Sequence, residues 1–240
     1  MDWAEYWNSD TPVYSERRQL DAYRRVLLQG LSPHLPDGSF TLLDWGCGDA
    51  LIARDLAARG GRVLLWDVAE RRRAALAERH RNDSDIVVLD EAGLAALPAG
   101  GCDVALLASV LQYVPRDSLP GLLDRLRALV RPGGSLVLTD IVPRGGSVAR
   151  DVGALLGFAA ANGFLMGAVA GLVRTLTSDY RRLRREIGLA TWDRDELGAL
   201  LTRHGWRMTA LPANIGFDSN RWSALATACG DTGATTPADL

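Results

Sequence analysis

Lysine is missing from this chain: all 27 of its basic residues are arginine. That absence excludes chemistry that runs through an ε-amino group, from a Schiff base or pyridoxal-phosphate linkage to the lysine of a Walker phosphate loop. Cysteine is scarce. Cys47, Cys102 and Cys229 lie far apart and show none of the paired spacings of a zinc site or a disulfide framework, so no metal is expected and a reducing, cytoplasmic setting fits. A strong field of either sign is also lacking. The 29 acidic and 27 basic residues leave a formal net charge of -2, too little to draw the chain onto a nucleic-acid backbone. The start, Met1-Asp2-Trp3-Ala4-Glu5, lacks the basic opening and apolar run of an export signal.

What is there suits one α/β domain. A chain of 240 residues, 48% of them hydrophobic, buries one good core, with room for an insertion but not for two full domains. From Phe40 onward short apolar runs alternate with helix-like stretches, the pattern of β-α units on a parallel sheet. Strands are predicted at 41–45, 62–67, 85–90, 103–108 and 135–140, with helices at 49–59, 70–81 and 116–130. A helix at 194–204 and two strand-like runs, 206–211 and 222–229, predict an antiparallel pair closing one sheet edge. Residues 1–39, rich in Trp3, Tyr6, Trp7, Tyr14 and Tyr23, read as helices laid across the sheet, and residues 230–240 as a disordered tail.

The stretch Leu42-Leu43-Asp44-Trp45-Gly46-Cys47-Gly48-Asp49-Ala50 places two glycines where a buried strand turns into a helix. Backbone can there approach a ligand without interference from Cβ. A dinucleotide site would want a third glycine where Leu51 stands, and a pyrophosphate on the helix N-terminus. Asp44 and Asp49 flank the turn and would repel that pyrophosphate, whereas a cationic ligand suits them. Asp67 closes the second strand 21 residues after Gly46, where a carboxylate, with Val68 beside it, can accept both hydroxyls of an adenosine ribose. Asp90 closes the third strand, so its carboxylate, or the backbone of Glu91 and Ala92, can read an adenine amine. The bland alternative for each strand-end acid is a cap on the following helix.

The segment Leu43-Asp44-Trp45-Gly46-Cys47-Gly48 resembles the first motif of the class I S-adenosylmethionine (SAM)-dependent methyltransferases. Residues 102–114 resemble their fourth strand and its following turn, and residues 129–138 the approach to their fifth, so the likeness covers about residues 40–140. The resemblance implies a Rossmann-like fold: a seven-stranded, mostly parallel sheet with an antiparallel last strand, N-terminal helices, and a helical cap inserted after the fifth strand. Residues 1–39 would then be a helical lid and 40–229 the methyltransferase domain, with the cap at 146–190. SAM would be the cofactor and S-adenosylhomocysteine its product. Carried over residue by residue, Asp44 and the backbone of Gly46, Cys47 and Gly48 hold the methionine part. Asp67 and Val68 hold the ribose, Asp90, Glu91 and Ala92 the adenine, and Ser109 the cofactor's underside. Ala50 departs from the pattern, because many members have a third glycine there.

Methyl transfer from a sulfonium is an in-line displacement that gains most from holding nucleophile, methyl carbon and sulfur collinear and dry. A base is needed only where the acceptor must lose a proton. Tyr113, Asp140, Tyr14 and Glu16 are the candidates, and Tyr14, Gln112, Tyr113, Asn214 and Arg221 are candidate substrate contacts. Trp3 and Trp7, four residues apart, read as staples of an amphipathic helix onto the core. His204 precedes Gly205 at a helix end, where its ring is expected to satisfy terminal carbonyls, and His34 and His80 read as surface residues.

Residues 152–173 form an uncharged run of 22 residues in which only Asn162 is plainly polar, long enough by itself to span a bilayer. A single crossing would strand half of the sheet on the wrong side. The prediction is therefore a buried pair of helices, broken near Asn162-Gly163 and packed closely through Gly153, Gly157, Gly163, Gly167 and Gly171. Such an apolar roof implies an apolar portion in the substrate. Next to it, Tyr180-Arg181-Arg182-Leu183-Arg184-Arg185 offers four arginines to an acidic substrate group or an anionic membrane surface, or else forms a solvated helix face. The expectation is a soluble enzyme, monomer or homodimer, that methylates oxygen or nitrogen of a small, partly apolar molecule. The alternatives are a methyltransferase-fold protein that binds SAM without transfer, and a NAD-dependent oxidoreductase.

Overall fold

Five apolar runs become parallel strands, as their alternation with helices requires. The computed structural model describes residues 3–8, 17–176 and 179–230. In it β1 (Phe40–Trp45), β2 (Gly61–Trp66), β3 (Ile86–Val88), β4 (Cys102–Ala108) and β5 (Val130–Ile141) pair in parallel. Two further strands, β6 (Trp206–Ala210) and β7 (Trp222–Ala228), complete a sheet of order β3-β2-β1-β4-β5-β7-β6. Strand β7 runs antiparallel to both of its neighbours, which is the antiparallel closing pair that the sequence predicts.

Helices α1 (Trp3–Trp7) and α2 (Arg17–Leu31) precede the sheet, and α3 (Ala53–Ala58), α4 (Glu70–Arg79), α5 (Glu91–Ala95) and α6 (Leu119–Leu129) connect its parallel strands. An insertion of α7 (Val148–Ala161), α8 (Leu165–Leu176) and α9 (Asp179–Glu186) separates β5 from α10 (Arg194–Arg203). Neighbouring residues of each strand feed opposite faces, as the period of two demands. Leu43, Leu64, Leu107 and Leu138 join Leu126 and Leu201 on one face, while Leu42, Leu65, Leu106 and Val137 join Leu31 and Leu56 on the other. Strand order reverses between β1 and β4, which opens a crevice at the carboxyl ends of the strands where ligands of such sheets bind.

Several expectations are corrected. Helix α3 starts at Ala53 rather than at 49, because Gly46, Gly48 and Ala50 all take positive φ and hold the chain in a loop. The insertion does break at Asn162, but its helices are not a buried pair: Met166 is 80% exposed and Val173 58%. A Cβ added at Gly153, Gly157 or Gly171 would meet nothing within 4 Å, so the glycine spacing serves no close approach there. The reason is topological: the hairpin has a partner on one side only, where Ala159, Phe164 and Ala168 pack on Ala22 of α2. His80 is buried and bonded through Nδ1 to Asp83 at 2.8 Å, not a surface residue. At the end of α10, His204 turns its ring to Asp124 at 2.6 Å and caps only through its backbone N–H. The proposed tail from 231 onward lies outside the described residues.

Candidate functional site

Strand β1 delivers Asp44 to the crevice, and the turn after it wraps around the carboxylate. Asp44 is 5% exposed, and among the described residues no donor reaches its Oδ1. Burial first, then the neighbouring Asp67 charge, pushes its pKa up to about 7. Gly46 has φ +75°, and a Cβ there would lie 2.7 Å from a Val110 methyl, so only glycine lets β1 turn this close to the loop after β4. The N–H groups of Gly46 and Cys47 both donate to the Trp66 carbonyl, at 2.7 and 3.1 Å. Burial, ahead of the Asp44 and Asp67 charges, holds the Cys47 thiol well above its usual range, so it is no nucleophile.

A cavity of about 680 Å³ opens over this turn at the ends of β1, β2, β4 and β5. Gly46, Cys47, Gly48, Asp49, Asp67, Val68 and Ser109 all line it, together with Asp44. The Asp67 carboxylate accepts from the Gly48 N–H and the Ala69 N–H, each at 2.9 Å, which fixes its orientation at the end of β2. Asp90, Glu91 and Ala92 do not line the cavity. Asp90 is exposed, and its Oδ1 accepts from the Gly93 N–H at 2.7 Å as the N-cap of α5. At this third acid the helix-capping alternative is the one realised, because β3 ends early and α5 follows at once.

Two non-glycine residues in left-handed backbone face each other at the ends of β4 and β5: Ser109 at φ +59° and Asp140 at φ +56°. Such conformations cost on the order of 1–3 kcal/mol each and persist only where the surroundings fix them. Here Ser109 Oγ donates to Asp140 Oδ2 at 2.6 Å, and Asn214 Nδ2 donates to Asp140 Oδ1 at 2.7 Å. Asn214 Oδ1 accepts from the Asp140 N–H at 3.2 Å and from Ser223 Oγ at 2.6 Å. A Cβ at Gly216 would lie 1.9 Å from Asp140 Oδ1, so the carboxylate occupies space that only this glycine leaves.

Aromatic side chains line the rest of the cavity. Trp3 and Trp7 pack on Tyr113, with ring centroids 4.9 and 5.2 Å away, rather than on the main core as staples. Tyr23 of α2 meets Phe217 at 5.1 Å, and burial above all raises its pKa, which keeps the phenol protonated. Gln112 is buried: its Oε1 accepts from Arg221 at 2.7 Å and its Nε2 donates to the Ser109 carbonyl at 3.3 Å. Arg221 also stands 3.6 Å from Asp218 and 3.7 Å from Asp151 of α7. Among the described residues of 146–190 none lines the cavity, so they do not form its roof; Phe158 of α7 stacks on the outside of Phe217 at 4.9 Å.

The structure thus brings Asp140, Tyr113, Gln112 and Arg221 to the cavity, and ties Asn214 to it through Asp140. Tyr14 and Glu16 lie outside the described residues. Sequence reasoning missed Tyr23, Phe217, Asp218 and Arg72 as lining residues. Only the aromatic richness of the first forty residues gave a signal, and only for Tyr23.

Comparison with known proteins gives a consistent picture. A family model described as "Methyltransferase domain" matches residues 43–138. Among curated proteins, the ubiquinone biosynthesis O-methyltransferase of Xanthomonas axonopodis pv. citri is 29% identical over 140 residues, 57% of this chain and 56% of that protein. The chain therefore spans little more than half of that relative's length. The Paraburkholderia xenovorans protein of the same name is 26% identical over 199 residues, covering 80% of this chain and 78% of its own. Among solved structures, the 1,6-didemethyltoxoflavin-N1-methyltransferase of Burkholderia thailandensis superposes with a TM-score of 0.54 at 17% identity, covering 90% of this chain and 80% of its own. The magnesium protoporphyrin IX methyltransferase of Synechocystis PCC 6803 does so with a TM-score of 0.55 at 14% identity, over 93% and 94%. At these identities the structures share the fold alone.

Proposed function

Since the chain belongs, through residues 43–138, to the class I SAM-dependent methyltransferases, we propose that it methylates an oxygen of a small, partly apolar molecule. The observation that carries this reading is Asp44, a buried carboxylate with one oxygen that no donor among the described residues reaches, beneath a glycine turn that faces the cavity. Its need is a cation. The ammonium of SAM answers it, whereas a pyrophosphate would meet Asp44 and Asp67 with like charge.

Bound SAM supplies an electrophilic methyl group on a sulfonium. Asp44 and the backbone of Gly46, Cys47 and Gly48 hold its amino-acid end, and Asp67 with Val68 holds the ribose. Asp140 is the proton acceptor for an acceptor hydroxyl, since it is the cavity carboxylate held at the ends of β4 and β5 by two side-chain donors, Ser109 and Asn214. Ser109 orients it. Gln112 acts on the acceptor indirectly, by holding Arg221. Tyr23, Phe217, Trp3 and Trp7 give an apolar, aromatic wall that excludes water and suits a planar acceptor. Oxygen is preferred over nitrogen on the presence of Asp140 and on the names of the curated relatives, both O-methyltransferases.

Calorimetry with SAM, S-adenosylhomocysteine and NAD tests the cofactor: binding of the first two and not the third is expected, and binding of NAD alone sinks the reading. Release of S-adenosylhomocysteine with a panel of phenols and catechols then tests transfer. Tight SAM binding with no turnover of any phenol, alcohol or amine would favour a SAM-binding protein without transfer.

A further inference from the structure

None of the described residues of the insertion lines the cavity. Helix α8 of the insertion leaves Leu165, Met166, Val169, Ala170 and Val173 exposed, while Gly167 and Ala168 turn inward. At 100° per residue these five span an arc of about 140°, so the helix shows its apolar side to the outside. Surface helices ordinarily place polar and charged residues there. Helix α7 carries its only charges, Arg150 and Asp151, in its first turn; between 152 and 161 its exposed positions are Gly153, Gly157, Ala160 and Ala161.

The charge lies at the rim. Arg174 is exposed where the apolar arc ends, and Arg182 and Arg185 are exposed on α9. Residues 174–187 hold Arg174, Arg181, Arg182, Arg184 and Arg185 against Asp179 and Glu186, a basic stretch in a chain whose net charge is -2. Of these, Arg184 faces Asp151 at 3.4 Å and Arg182 lies 3.9 Å from Glu186.

From this juxtaposition we propose that the insertion docks the protein on an anionic membrane surface, with the outer face of α8 in the lipid interface and the arginines of α8 and α9 among the headgroup phosphates. An apolar face bordered by cations is the complement of such a surface. A second copy of the chain fits less well, because a two-fold contact through this face would set one arginine rim against the other. Among the described residues no helix is long and apolar enough to cross a membrane, so the helix lies on the bilayer rather than through it.

Co-sedimentation of the full chain with vesicles of phosphatidylcholine, alone or mixed with phosphatidylglycerol, tests the proposal. Binding to the mixed vesicles should be about tenfold or more stronger than to the neutral ones, and should weaken as salt is added. The exposed double change Met166→Asp with Val173→Asp should abolish binding while leaving the circular dichroism spectrum and SAM affinity unchanged. Arg182→Glu with Arg185→Glu should erase the preference for anionic lipid. Equal binding by all variants, or none to either vesicle, overturns the proposal. So does a concentration-dependent doubling of mass that the Met166→Asp change removes, since the face would then be a contact between copies. Lipid binding and SAM binding are read separately, so either can fail without the other.

Discussion

Burial takes Asp44 out of water without giving Oδ1 a donor, and this leaves a mark on the pH dependence of folding. Its pKa rises from 3.8 in the open chain to about 7 in the fold. Between those values the native state keeps a proton that the unfolded state has lost, so the stability of the cofactor-free protein falls as pH rises from about 4 to about 7 and is level above. At about 1.4 kcal/mol per unit the whole effect is on the order of a few kcal/mol. The Asp44→Asn variant should lose this slope, melt higher than the wild type at pH 8, and bind SAM at least about tenfold more weakly, since one charge-assisted hydrogen bond is gone. Urea unfolding at several pH values, wild type against variant, decides it; parallel curves would remove the buried charge from the account. The Gly216→Ala change addresses the other end of the cavity. Its methyl would overlap Asp140 Oδ1, so Asp140 must leave Ser109 and Asn214. Methyl transfer should drop by about a hundredfold, as for a lost acid–base group, with SAM affinity kept. Unchanged turnover with a methylated phenol would show that Asp140 needs no fixed position.

Among the elements, the glycine turn after β1 was legible because its logic is local: a strand, two glycines and two acids within seven residues declare both the shape and the sign of the ligand. The insertion was only half legible. Its helical break at Asn162 followed from residue type, but which faces would be covered depended on where the hairpin landed. It landed on α2 and Phe217, through Phe158, whose ring stacks on Phe217 and lies 5.5 Å from Tyr23. Phe158→Ala should therefore cost about 2–3 kcal/mol, below the value for a fully buried phenylalanine because this ring is partly exposed. Calorimetric melting checks the cost. Because Phe158 holds Phe217 and Tyr23 from behind, affinity for an aromatic acceptor should fall in the same variant while SAM affinity stays.

Over the whole molecule, stability is unevenly shared. The sheet is covered on both faces by two large clusters, whereas the insertion has a cluster of four buried residues shared with α2. Local opening follows such differences. Amides of β1, β4 and β5 should exchange with solvent only through global unfolding, and those of α7 and α8 should exchange at least about a hundredfold faster. Hydrogen-exchange mass spectrometry on the full chain measures this, and equal protection in both regions would mean that the insertion folds as one unit with the sheet. Adding the phosphatidylglycerol vesicles should slow exchange in α8 if the docking inference holds.

The sequence by itself determined the parallel sheet, its antiparallel closing pair and the acid-flanked glycine turn. Periodicity, turn chemistry and charge sign act over a few residues and survive without a partner. Only the tertiary structure decided the rest: that Asp90 caps a helix, that Asn214 reaches Asp140 across 74 residues and Arg221 reaches Gln112 across 109, and that the apolar insertion faces outward. Those outcomes turn on which surfaces meet once the sheet has closed, and no local pattern specifies what a side chain will find opposite it.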